Sequence, residues 1–272
     1  MFEKILENVA MQTPLVHNIT NYVTVNDVAN IVLACGGSPI MADDLTEVEE
    51  ITSICSSLVL NIGTLNARTI LSMIKAGKKA NELGLPVILD PVGAGASKLR
   101  TNMTFKLLEE VKFSVIRGNI SEIKTIYAGS GLTKGVDAAE SIEDENINEI
   151  IQFTKDLSIG TGAVIATTGA TDLVVHHEKA YIIKNGHPMM SKITGSGCML
   201  SAVIGAYCGA NPEQLIDSTA AAVCVVGLSG ELAYQKTIAT GGGTSSFRTH
   251  FIDYVSKLDS SLLKEGMKIE SR

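Results

Sequence analysis

Tryptophan is absent from this chain, and aromatic residues make up only 4% of it. Its core must therefore be packed by Val, Ile, Leu, Ala and Met. With 272 residues, 45% of them apolar, there is enough such material for a large one. No block of five or more basic residues occurs and the formal net charge is -7, which argues against a nucleic-acid surface or a membrane-binding patch. It leaves room for an anionic nucleotide, because a loop and a metal offset charge locally. HExxH, zinc-ligand pairs, a Walker A lysine loop and a GxGxxG after the first strand are all missing, so metalloproteases, P-loop NTPases and NAD enzymes are disfavoured. The five cysteines, Cys35, Cys55, Cys198, Cys208 and Cys224, form no CxxC. Reduced thiols in a cytoplasmic protein are expected. Residues 1–10 carry Glu3, Lys4 and Glu7, so no secretory leader is expected. The uncharged runs after Gly195 and after Ser218 fall short of the roughly 20 residues of a spanning helix and read as buried helices.

What is present is an alternation. Strand-like runs at 57–63, 86–90 and 113–119 are separated by helical patterns at 65–84 and 100–112, with another helix at 147–158. This predicts crossover units and a mostly parallel sheet covered on both faces. Three apolar runs, 163–169, 172–177 and 180–184, follow with tight turns between them and read as an antiparallel edge. Helices are expected at 197–209, 212–234 (with Gly227 and Gly230 as weak points) and 245–258. Residues 260–272 read as a polar tail. One domain over 1–272 is the expectation, since no linker or repeat divides the chain.

Five short stretches carry possible chemistry. "TGSGCM" (194–199) opens a helix with two glycines. Unpaired amides and the helix dipole there suit an anion, and Gly195 and Gly197 leave the backbone open. An ordinary glycine turn is the competing reading. Cys198, in the first helical turn, is a place for a thiol of lowered pKa: a nucleophile, a base or a pocket wall, against the plain alternative of a small buried hydrophobe. "LDPVGAGAS" (89–97) puts Asp90 at a strand end, where ligands gather in parallel sheets and a carboxylate can hold Mg2+; a turn cap is the alternative. "IRGNISEI" (116–123) offers Arg117 to phosphate, with Asn119 beside it, and Glu122 either to a metal or to helix capping. "ATTGATD" (166–172) places Thr168 in a turn suited to phosphates or to a simple hairpin. In "VHNITNYVTVNDVANIVLACGGSPIM" (16–41), Asn18, Thr20 and Asn21 fit a small heterocycle, with Met41 as a polarisable wall; plain core is the competing reading of Met41, and His17 reads as a hydrogen-bonded interior histidine.

Taken in order, "HNITNYVTVNDVAN", "GGSPIM", "LDPVGAGAS", "RGNISEI", "TTGATD" and "TGSGCM" resemble the hydroxyethylthiazole kinases, over about residues 12–250. That resemblance implies a ribokinase-like three-layer sandwich and ATP-dependent phosphorylation of 4-methyl-5-(2-hydroxyethyl)thiazole in thiamine salvage. It implies that Met41 and Gly195 contact the thiazole alcohol, with Asn21 as a further candidate. It implies that Arg117 and Thr168 bind ATP, with Asn119 beside them. Asp90 and Glu122 would arrange Mg2+ and the phosphates, largely through water. Gly195, Gly197 and Cys198 would form the catalytic corner, with cysteine where most ribokinase-like enzymes resemble one another in having an aspartate base. It also implies a homotrimer with interfacial sites, Met41 serving a neighbour's pocket. Rival readings are a hydroxymethylpyrimidine kinase, an NAD(P)H-hydrate dehydratase, whose pattern resembles GTGD with aspartate at the Cys198 position, and a non-catalytic nucleotide-binding regulator. The role of 240–248 stays open between a wall of the nucleotide site and a helix cap.

Overall fold

A computed structural model describes residues 2–130, 147–177 and 179–272. The amino-terminal half runs α1 (Phe2–Gln12), β1 (Leu15–Ile19), α2 (Val25–Ala34), β2 (Ser38–Ile40), α3 (Val48–Ser53), β3 (Ser57–Asn61), α4 (Ala67–Glu82), β4 (Val87–Asp90), α5 (Lys98–Glu110), β5 (Val115–Asn119) and α6 (Ile120–Gly129). The second half runs α7 (Ile147–Thr161), β6 (Val164–Thr168), β7 (Asp172–His176), β8 (Lys179–Ile183), α8 (Ser196–Ala210), α9 (Leu215–Ala239), α10 (Thr244–Lys257), α11 (Ser260–Gly266) and β9 (Ile269–Ser271).

The strands form one sheet in the order β2-β1-β3-β4-β5-β6-β7-β8-β9. Pairing is parallel from β2 to β6 and antiparallel from β6 to β9. The change has a simple cause. A parallel return needs a crossover of a dozen or more residues, and only residues 169–171 separate β6 from β7. Alternation along each strand feeds two cores. Val16, Val59, Ile88, Val115 and Val164 pack with α1, α2, α8, α9 and α10. Leu58, Leu60, Leu89, Ile116 and Ile165 pack with α4, α5, α6 and α7 on the opposite face. The result is the expected three-layer sandwich, mostly parallel with an antiparallel edge.

Two expectations need correction. Residues 260–272 are not a tail: Leu263 of α11 is buried, and β9 pairs with β8 through Tyr181↔Ser271, Ile182↔Glu270 and Ile183↔Ile269. The helix after Pro212 is also longer than expected, and Gly227 and Gly230 do not interrupt it. Pro212–Ala239 is long and apolar enough to cross a bilayer by length and composition, yet 72% of its apolar 18-residue window is buried inside the protein. Its glycines face Asn185 and Met190, which occupy the space their side chains would need. It is a core helix whose middle, residues 218–230, is covered on all sides and carries no charge.

Candidate active site

The carboxyl ends of the parallel strands meet the amino end of α8. Asn61 ends β3 in register with Asp90 ending β4, and Asn119 ends β5 in register with Thr168 ending β6. Asp90 is completely buried. Its Oδ2 accepts hydrogen bonds from Asn61 Nδ2 at 2.7 Å and from Ser201 Oγ at 2.9 Å. Its Oδ1 lies 3.6 Å from Arg117 Nη1 and has no hydrogen-bond partner. Burial pushes the Asp90 carboxyl above the usual carboxylate range; the Arg117 charge opposes this, Glu122 adds to it, and the two hydrogen bonds oppose it.

Arg117 is held from the other side, where Nη2 donates to Thr168 Oγ1 at 2.6 Å. Its guanidinium lies over Gly197: a Cβ built there would stand 2.5, 2.7 and 2.9 Å from Nη1, Nη2 and Cζ. The missing side chain at 197 therefore makes room for the arginine. Gly195 is the N-cap of α8 with φ +85°, a left-handed conformation, and a Cβ there would strike the Thr24 methyl at 2.6 Å.

Cys198 is half-buried, and its Sγ accepts from Asn21 Nδ2 at 3.3 Å. The same amide donates to Asn61 Oδ1 at 3.0 Å, so a chain of polar contacts runs from Cys198 to Asp90. The thiol pKa is raised, against the lowering expected at a helix start. Burial is the larger cause and the nearby Asp90 charge the second; the neighbouring Thr24, Asn61 and Asn21 side chains, the last donating to Sγ, only partly offset them. Desolvation and a like charge outweigh the helix end.

Glu122 and Asn119 form a capping box at α6. Asn119 Oδ1 accepts from Glu122 N at 2.9 Å, and Glu122 Oε2 accepts from Asn119 N at 2.8 Å. Glu122 Oε1 accepts from Gly93 N at 2.8 Å, tying the loop after Asp90 to this helix. Of the two proposed metal carboxylates, only Asp90 keeps an unpartnered oxygen. No group of three or more His, Cys, Asp or Glu suited to a metal occurs among the described residues.

Beside Arg117 opens a cavity of about 560 Å³. Arg117, Thr168 and Gly197 line it, as do Asp172, Asn185, His187 and Met190, none of which sequence reading had singled out. Its floor is apolar: Leu200, Val223, Val226 and Gly227. The Asn185 side chain is fully engaged, with Nδ2 donating to Glu231 Oε1 and Gly266 O and Oδ1 accepting from Lys268 N. Asp172 accepts from Gly169 N at 2.9 Å; burial pushes its carboxyl up to about 7, with that hydrogen bond and Arg117 opposing. Met41 stands apart. It follows β2, two strands from the corner, packs against the α2–α8 core and does not line this cavity. His17 is buried, with Nδ1 on Thr52 Oγ1 at 2.9 Å and Nε2 on Ala42 O at 2.8 Å, and burial lowers its pKa; it is the interior histidine expected. Residues 240–243 turn from α9 into α10 outside the cavity lining, and Arg248 pairs with the buried Asp27 of α2.

Asn61 and Ser201 were legible only in part. Asn61 is a polar residue closing an apolar strand, one strand before Asp90, which is a usable signal. Ser201 lies inside an uncharged helix and gave none.

The hydroxyethylthiazole kinase family model matches residues 6–261. A hydroxyethylthiazole kinase of Clostridium acetobutylicum is 58% identical over 273 residues, covering 100% of both chains. The structure of a hydroxyethylthiazole kinase from Pyrococcus horikoshii OT3 superposes with a TM-score of 0.89 at 33% identity, covering 100% of this chain and 98% of that one. A ribokinase-like superfamily protein from Enterococcus faecalis shares the fold alone, with a TM-score of 0.59 at 12% identity over 93% of this chain and 88% of its own. A ribokinase-like sandwich whose carboxyl-end corner gathers five of the six motifs, all but GGSPIM, thus agrees with full-length relatives on both sequence and structure, and the chain belongs to the hydroxyethylthiazole kinase family.

Proposed function

We propose that this chain uses ATP to phosphorylate the primary hydroxyl of 4-methyl-5-(2-hydroxyethyl)thiazole, as one kinase domain over 1–272 in a cytoplasmic thiamine-salvage pathway. The observation that carries the reading is the corner itself. Asp90 Oδ1 and Arg117 face each other, buried, at 3.6 Å beside the amino end of α8, with the apolar cavity on one side and Asn21 and Cys198 on the other. The cavity, with Arg117 and Thr168 at its mouth, takes the nucleotide. The backbone amides at 195–198 and the Arg117 fork receive the moving phosphoryl group. Asn21, Gly195 and Cys198 border the alcohol.

Mg2+ fits the chemistry of these residues: a hard cation takes oxygen ligands, keeps several waters and is shared with phosphates, and Asp90 Oδ1 is a buried carboxylate oxygen without a partner. Glu122, engaged through both oxygens, supports it from one layer further out. The ion, when bound, neutralises phosphate charge. The alcohol oxygen attacks the terminal phosphorus, the bond to ADP breaks, and the alcohol proton passes to a phosphate oxygen or water. In a loose transition state the nucleophile needs little activation, so positioning and charge dominate. A neutral Cys198 thiol, its pKa raised by burial, serves as a hydrogen-bonding wall rather than a strong base. Met41, remote from the corner within one chain, supports an assembly in which a neighbour's Met41 walls the pocket. Exposed Tyr22, Val23 and Leu33 supply apolar surface near α2 for such a homotrimer.

A coupled ADP-release assay with thiazole alcohol, hydroxymethylpyrimidine and hydrated NADH tests the reading. Turnover with the thiazole alcohol is expected. Preference for either other substrate, or ADP release with none, overturns it.

A further inference from the structure

The Asp90–Arg117 pair is unusual in staying open. Both side chains are buried or nearly so, at 0% and 12% exposure, where opposite charges attract strongly. Yet they stand at 3.6 Å rather than in a closed fork, with Asp90 Oδ1 and Arg117 Nε both left without partners. Closing Nη1 onto Oδ1 would satisfy that oxygen, and the attraction favours closure unless other contacts hold the pair apart.

Contacts on both side chains restrain the pair. Thr168 Oγ1 anchors Arg117 Nη2 at 2.6 Å. Two donors converge on the far oxygen of Asp90, Asn61 Nδ2 at 2.7 Å and Ser201 Oγ at 2.9 Å. They come from different elements, the end of β3 and the first turns of α8, so together they fix both the position and the tilt of the carboxylate. Asn61 is fixed in turn, since its Oδ1 accepts from Gly63 N at 3.0 Å and from Asn21 Nδ2 at 3.0 Å. A strand-end asparagine that only made its own turn would need the Gly63 contact alone. Here the amide nitrogen is aimed at a buried carboxylate, and Ser201 prefers that carboxylate at 2.9 Å over its own helix carbonyl, Gly197 O, at 3.4 Å.

We propose that Asn61 and Ser201 are positioning residues that hold the Asp90–Arg117 pair open, so that Asp90 Oδ1 faces the phosphate corner free. The inference rests on the kinase reading. Without either donor the carboxylate swings toward Arg117 and closes the pair. That uses the oxygen meant for the cation and draws the guanidinium away from Thr168. Through Asn21, Asn61 also joins this carboxylate to the alcohol side of the site.

Crystal structures and kinetics of Asn61→Ala, Ser201→Ala, Asp90→Asn and Asn61→Ala/Asp90→Asn test the proposal. The Asp90–Arg117 distance is expected to close from 3.6 Å to roughly 2.8 Å in Asn61→Ala and in Ser201→Ala. kcat should fall roughly 10- to 100-fold in each, while KM for the thiazole alcohol moves less than about threefold. On the Asp90→Asn background, Asn61→Ala should cost less than about threefold more, because its route of action is already gone. If Asn61→Ala does not fold, Ser201→Ala carries the same expectations from the other element. An open pair with unchanged kcat in the single variants, or fully additive losses in the double, overturns the proposal. Wild-type enzyme that phosphorylates no thiazole alcohol overturns the kinase reading instead, so the two failures are distinct.

Discussion

Replacing Gly197 by alanine adds one methyl group where the Arg117 guanidinium already lies. The new Cβ would stand 2.5, 2.7 and 2.9 Å from three guanidinium atoms, against an ordinary separation of roughly 3.5 Å. The guanidinium must retreat by about 1 Å, and as the free end of a flexible side chain it can. The backbone at 197 is ordinary helix, so alanine is accommodated there and favoured over glycine by about 1 kcal/mol. Stability should therefore hold or rise. Function should not. A 1 Å retreat breaks the 2.6 Å bond to Thr168 and shifts the guanidinium proposed to hold the phosphates. A charge-assisted hydrogen bond contributes about 1.5–3 kcal/mol, which translates into roughly 10- to 100-fold in kcat/KM. The expected result is an unchanged or higher Tm together with kcat/KM for ATP down by that factor. A variant as active as wild type would refute the placement of Arg117 over Gly197, and a sharp fall in Tm would refute the claim that arginine can yield.

Three more predictions follow from single residues. Cys198→Ala should slow turnover by less than about 10²-fold, because a thiol whose pKa is raised contributes little as a base, and Cys198→Asp should stay active; complete loss in both would mean a nucleophilic or strictly structural cysteine. The folded-state pKa of Asp172, about 7, exceeds its ordinary 3.8, so its contribution to stability is full below 3.8 and is lost as pH rises through 7. Asp172→Asn keeps an acceptor for Gly169 N–H without that loss, so thermal melts should show it gaining on wild type from pH 5 to pH 8; parallel curves would contradict the raised pKa. Leu263→Ala should cost roughly 2–5 kcal/mol in urea unfolding with kcat intact, and a negligible cost would return residues 260–272 to the status of a tail.

Legibility in the sequence followed length of pattern. The strands at 57–61 and 87–90, the crossover helices and the tight antiparallel edge were readable because each carries a periodic run or a turn too short for a crossover. α3 and β9, with six and three residues, are too short to show a period. β9 exists only because β8 presents an open edge to it. The expected helix at 212–234 and the observed one at 215–239 differ only at their ends, and the doubt at Gly227 and Gly230 is removed by Asn185 and Met190, which fill the space beside them.

The sequence by itself determined the fold class, the family and most members of the corner, Asn21, Asp90, Arg117, Thr168, Gly195, Gly197 and Cys198, because each stands in a short motif at a strand end or a helix start. Only the tertiary structure decided what those members do to one another. It set the Arg117 guanidinium over Gly197, raised a thiol pKa expected to be low, spent both oxygens of Glu122 on backbone amides, and recruited Asn61 and Ser201 to Asp90. The reason is physical: residue types and local turns are written along the chain, whereas burial, charge neighbours and converging donors come from segments more than a hundred residues apart, such as Asp90 and Ser201, and take effect only when water is removed between them.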